Sequence, residues 1–105
     1  MADLFKILQQ AQQMQGRLQQ LQEELQQQTV SGSAGGGMVT VEADGRGHIR
    51  RVKIDPSLAT QTDIEMLEDL IVVAVNDAQK RASELAQQEM GKITGGMDLP
   101  FKLPF

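Results

Sequence analysis

The chain has 105 residues, a formal net charge of −4, and neither Cys, Trp nor Tyr. One domain fits in this length, and so short a chain buries only about two thirds of its unfolded surface. The absence of Cys excludes a disulfide framework, thiolate metal sites and a Cys nucleophile, and the negative charge repels phosphate backbones and anionic membranes except at local basic patches.

Two of the three Phe, Phe101 and Phe105, lie in the last five residues, so packing falls to Leu, Ile, Val, Met and Ala. Self-association is the expected source of the missing burial. The opening Met-Ala-Asp-Leu-Phe-Lys lacks the basic start and apolar run of a signal peptide, and the longest apolar run, residues 70–75, is too short to span a bilayer. The expectation is a soluble cytoplasmic protein with no membrane partner.

From residue 3 to about 28, apolar residues fall at Leu4, Ile7, Ala11, Met14, Leu18, Leu21 and Leu25. This 3-4 alternation fills heptad positions a and d and predicts a long coiled-coil-like helix. Between them lie many Gln, including Gln9, Gln10, Gln12, Gln13, Gln19 and Gln20, which tolerate helix and leave the polar face neutral. Whether the stripe packs on its own chain or on a second copy stays open.

Residues 29–34 are small or β-branched, Gly35, Gly36 and Gly37 supply a turn, and residues 38–43 alternate in polarity, which predicts a hairpin. Val39, Val41 and Ala43 are expected on one face, with Met38, Thr40 and Glu42 on the other. The turn Asp44-Gly45-Arg46-Gly47 leads into a third strand, residues 48–54, ending at Asp55-Pro56 and completing a three-stranded meander. Ile49 has the opposite parity to Val52 and Ile54, so a bulge near Arg50-Arg51 is needed to bury all three on one face.

Thr62-Asp63-Ile64-Glu65 has the form of a capping box and predicts the start of a second long helix. It runs through Leu67, Leu70, Ile71, Ala74, Ala78, Ala82 and Leu85, with stops expected at Gly91 or Gly95-Gly96. Residues 70–75 are apolar on every side, which a three-stranded sheet cannot cover alone, and this argues for a dimer; the alternative is a buried strand here. The expected dimer interface is Leu67, Leu70, Ile71, Val73, Ala74, Val75 and Ala78. The fold class is α+β, with residues 1–94 as one domain and 95–105 as a Gly- and Pro-containing tail. The tail's two prolines, Pro100 and Pro104, favour extended backbone, and it is read as mobile, with a docking strip as the alternative.

Catalytic chemistry finds little to use. The single His48 lies on a short strand among arginines, with no Cys partner for a nucleophilic pair. Glu65, Glu68 and Asp69 have the spacing of a solvated acidic first turn rather than of metal ligands. The glycines at 35–37 and at Gly45 and Gly47 join strands to strands and lack a Walker lysine, so no phosphate loop is present. No catalytic residue, metal, cofactor or small-molecule substrate is expected. Basic residues remain: Arg46, Arg50, Arg51 and Lys53 near the third strand, Lys80, Arg81 and Lys92 on the second helix, Lys6 and Arg17 on the first. For any one of them the ordinary reading is a solvated face paired with nearby acids.

Leu8-Gln-Gln-Ala-Gln-Gln-Met14, Gly47-His-Ile-Arg-Arg-Val-Lys-Ile-Asp-Pro-Ser-Leu58, Glu65-Met-Leu-Glu-Asp-Leu70, Val75-Asn-Asp-Ala78 and the tail from Gly96-Met-Asp-Leu-Pro-Phe101 to Pro104-Phe105 resemble, in that order, the YbaB/EbfC family of nucleoid-associated proteins. The resemblance covers essentially the whole chain. It implies an intertwined α+β homodimer whose helices project as arms and bind double-stranded DNA with little sequence preference, in nucleoid organisation and gene regulation. Phosphate contacts are expected from Lys6, Arg17, Lys80, Arg81 and Lys92, then Arg50 and Arg51, with Gln side chains as neutral donors. A rival reading is a protein-interaction adaptor acting through the Gln-rich helix or the Leu-Pro-Phe tail.

Overall fold

The computed structural model describes residues 2–58 and 63–94. Helix α1 spans Ala2–Gln27, strands β1, β2 and β3 span Thr29–Ala34, Val39–Asp44 and Ile49–Ile54, and helix α2 spans Ile64–Thr94. The strands form an antiparallel sheet in the order β1-β2-β3. Residues 70–75 are helical, so the buried-strand alternative falls.

The β1–β2 connection needs three successive left-handed residues, and Gly35, Gly36 and Gly37 have φ of 64°, 67° and 93°. The predicted bulge is present. Glu42 pairs with Arg51 and Ala43 with Ile49, which leaves Arg50 as the extra residue. Downstream, Val52 faces Val41 and Ile54 faces Val39. Directly opposed residues share a side of the sheet, so the bulge returns Ile49, Val52 and Ile54 to the face that carries Val39, Val41 and Ala43.

That face packs against α2, which lies over β1 and β2. The core is Ala34, Val39, Val41, Ala43, Leu58, Ala74 and Ala78. The helix comes so close to β1 that a Cβ on Gly32 would sit 2.2 Å from the Ala78 amide nitrogen and 2.6 Å from the Ala74 carbonyl oxygen. Ala74 and Ala78, two of the residues expected at a dimer interface, are fully buried inside their own chain. Leu67, Leu70, Ile71 and Val75 are half-buried against the same core, and of the seven only Val73 is exposed.

Strand β3 lies beyond the cover of α2. Ile49, Val52 and Ile54 keep 38%, 41% and 37% of their surface in solvent although they share the core-facing side.

A second, smaller cluster joins the helices: Leu21, Leu25 and Met90, with Leu18, Leu85, Ala86 and Ile93 around them. Packing of Met90 and Ile93 on α1 carries α2 past Gly91, the first of the two expected stops, to Thr94. The cost of one helical glycine, about 1 kcal/mol, is smaller than the burial gained by Met90 and Ile93. At the other end of α2, Asp63 is the cap: its Oδ1 accepts from the Glu65 amide at 3.0 Å and its carbonyl from the Leu67 amide at 3.1 Å. The expected capping partner Thr62 and the tail 95–105 lie outside the described residues.

The heptad stripe of α1 divides in two. Leu18, Leu21 and Leu25 pack on α2, whereas residues 3–13 are exposed throughout. The chain accordingly extends 71 × 24 × 17 Å with a radius of gyration of 19.4 Å. A compact domain of this length has about 13 Å.

Candidate nucleic-acid interface

Antiparallel packing of α1 and α2 brings Arg17 and Lys92 to the same cleft, a space of about 320 Å³ lined also by Gln20, Leu21, Glu24, Glu89 and Ile93. The Lys92 ammonium stands 3.2 Å from the Glu89 carboxylate. Lys6 and Arg17 are eleven residues apart, three helical turns, and so lie on one line of α1; Arg81 and Lys92 repeat that spacing on α2. Arg81 and Lys80 sit roughly 17 Å from Lys92 along α2.

Arg81 is held by Asp77, with Nε 3.4 Å from Oδ1. The other Asp77 oxygen accepts the Ser33 amide of edge strand β1 at 3.1 Å, so one carboxylate ties Arg81 to the sheet. The Ser33 hydrogen bond, aided by Arg81 and Lys80, holds the Asp77 carboxyl below its ordinary pKa although burial opposes it.

Arg50 has a structural partner. From the bulge its guanidinium donates to the Gln26 carbonyl in the last turn of α1, satisfying an acceptor that the helix leaves open. Arg51, opposite Glu42, lies with Lys53 on the sheet face away from α2. Among the described residues Lys6, Arg17, Lys80 and Arg51 stand in no ion pair, and all four are exposed.

The structure adds residues that the sequence reading did not place in a site. A second cleft, about 460 Å³, lies between α1, α2 and the β2–β3 turn, and is lined by Gln22, Arg46, His48, Gln79 and Ser83 among others. These side chains are all hydrogen-bond donors, which suits phosphate oxygens. Arg46 was legible only as one basic residue in a turn, because nothing in the linear order says that the turn folds against both helices. The turn is held there by the Gly45 amide donating to the Leu25 carbonyl at 2.8 Å and by Gln79 donating to the Gly47 carbonyl at 3.1 Å. A Cβ at Gly45 would lie 2.6 Å from the Leu25 oxygen, so glycine is required for the approach.

Asp44 organises this turn from inside. Its Oδ1 accepts the Arg46 amide at 2.8 Å and the His48 amide at 3.0 Å, and His48 Nδ1 stands 3.4 Å from Oδ2. Burial opposes ionisation of Asp44, but the two amides, with His48 and Arg50 nearby, outweigh it and hold the carboxyl below its ordinary pKa. His48 thus serves the turn, and Glu65, Glu68 and Asp69 are exposed on the first turns of α2.

Comparison with known proteins gives the family. The YbaB/EbfC DNA-binding family matches residues 1–97. A nucleoid-associated protein of Gemmatimonas aurantiaca is 58% identical over 103 residues, 98% of this chain and 99% of that one. Another, from Desulfotalea psychrophila, is 48% identical over 93% of this chain and 92% of its own length. The crystal structure of an uncharacterized protein from Helicobacter pylori superposes with a TM-score of 0.71 at 28% identity, covering 81% of this chain and 89% of that one. With nearly its whole length matched in sequence and its helix-sheet-helix order matched in space, the chain belongs to the YbaB/EbfC DNA-binding family.

Proposed function

We propose that this protein binds duplex DNA as a homodimer at the nucleoid, with little sequence preference, and contributes there to nucleoid organisation and gene regulation without catalysing a reaction. The observation that carries the reading is the meeting of Arg17 and Lys92 at one cleft between the helices, with Lys6, Lys80 and Arg81 on the same two helices. Cations set along helices contact phosphates and release counterions, a sequence-independent source of affinity. Glutamines such as Gln20 in that cleft donate hydrogen bonds without adding charge. Glu24 and Glu89 in the same cleft oppose an approaching phosphate, which keeps affinity modest.

Dimerisation is supported by the apolar residues left bare on the helix-facing side of β3, Ile49, Val52 and Ile54, and by Val72 and Val73, which are 57% and 54% exposed on α2. A second copy would cover this surface and double the number of cations offered to one duplex. Leu67, Leu70, Ile71 and Val75, half-buried in one chain, form the border of the proposed contact.

Charge reversal tests the reading. Arg17→Glu with Lys92→Glu should weaken binding to an arbitrary duplex at low salt by roughly tenfold or more, by the same factor for unrelated sequences. Unchanged affinity in an electrophoretic shift titration would remove this cleft from the interface.

A further inference from the structure

We propose that residues 97–105 dock along the bare apolar stripe on the first half of α1 in the same chain. Leu4, Phe5, Ile7 and Leu8 are 58%, 75%, 59% and 54% exposed, a cluster of large apolar side chains of the kind that marks a contact surface. The antiparallel helix pair delivers the end of α2 to its inner edge. Leu25 lines a cleft with Ala82 and Ala86, and Arg17 lines one with Lys92 and Ile93, so Thr94 ends α2 where the uncovered part of α1 begins.

Eleven residues follow Thr94. Extended, they reach about 36 Å, against about 20 Å for the bare helix from Gly16 to Asp3. Gly95 and Gly96 come first and permit the change of direction from one helix to the other. Then Met97, Leu99, Phe101, Leu103 and Phe105 occupy every second position, with Pro100 and Pro104 favouring extended backbone. Such a strand presents all five apolar side chains on one side, the complement of a single apolar stripe.

Charge sets the direction. The segment has two charged residues, Asp98 then Lys102, and the bare half of α1, followed outward from Arg17, has Lys6 then Asp3. A segment running outward along α1 therefore places opposite charges in the same order. The inference concerns what covers the outer half of α1 in the free protein.

Amide hydrogen exchange tests it in the full chain, in a chain ending at Gly96, and in a full-length Phe101→Asp, Leu103→Asp variant. Both alterations should speed exchange of the amides of residues 3–14 by roughly tenfold, leaving β2 unchanged. Equal exchange in the full and shortened chains would overturn the proposal. So would protection of those amides that falls on dilution alike with and without the segment, because a second copy would then be the cover. With no native Cys, a nitroxide on Lys102→Cys gives a second readout. It should broaden amides near Leu4 and Ile7 within its own chain; broadening only in unlabelled partner molecules of a mixed sample would contradict docking in the same chain.

Discussion

Gly32 shows how one small residue sets the distance between layers. Ala74 and Ala78 bring the α2 backbone onto β1, and a methyl at Gly32 would overlap backbone atoms that no rotamer change can move. Gly32→Ala should cost about 3 kcal/mol, measured by urea unfolding; a cost under about 1 kcal/mol would show that the layers separate easily. Gly91 is the opposite case, since a Cβ there meets nothing within 4 Å, and Gly91→Ala should stabilise by about 0.5–1 kcal/mol. Asp44 gives a pH signature. Its carboxyl is held below its ordinary value in the folded state, so the stability it contributes is present above the unfolded-state pKa of about 3.9 and is lost as pH falls through the folded value. Asp44→Asn should flatten that acid-side loss in unfolding curves measured from neutral pH downward. Asp55, held low by the Ser57 amide and hydroxyl, and Asp77 act in the same direction and will leave part of the slope in place.

At the scale of elements, α1 and α2 are joined by a narrow seam in which Leu25 is 2% exposed against Leu21 and Met90. Leu25→Ala should destabilise by about 2–5 kcal/mol in the same unfolding measurement. Asp63→Ala, which removes the cap of α2, should cost about 1 kcal/mol. The helices, the strands and the bulge at Arg50 were legible because each leaves a local trace: the 3-4 spacing from Leu4 to Leu25, the alternation through Val39 and Val41, the parity break between Ile49 and Val52. Three features had no such trace. The passage of α2 through Gly91 depends on Met90 and Ile93 meeting α1, the burial of Ala74 and Ala78 depends on Gly32, and the placing of Arg46 depends on the turn folding against Leu25. Each is decided by residues far apart in the chain, which periodicity does not report. Of the basic residues, the meeting of Arg17 with Lys92 follows from antiparallel helix packing, while the structural use of Arg50 required the three-dimensional position of Gln26.

At the scale of the whole molecule, an acidic chain is proposed to bind an acidic polymer, and the geometry accommodates this by setting exposed cations along two helices of an elongated body. The bare side of β3 supplies the proposed contact between copies, and Val52→Asp with Ile54→Asp should shift the mass seen by light scattering from twice 11.5 kDa to that of one chain. The most direct test of the central claim is fluorescence anisotropy of a labelled, arbitrary duplex titrated with the protein at several salt concentrations. With about four to six phosphates neutralised per dimer, log affinity should fall against log salt with a slope of roughly −4 to −5. Absence of binding at the lowest salt would contradict direct DNA binding by this chain.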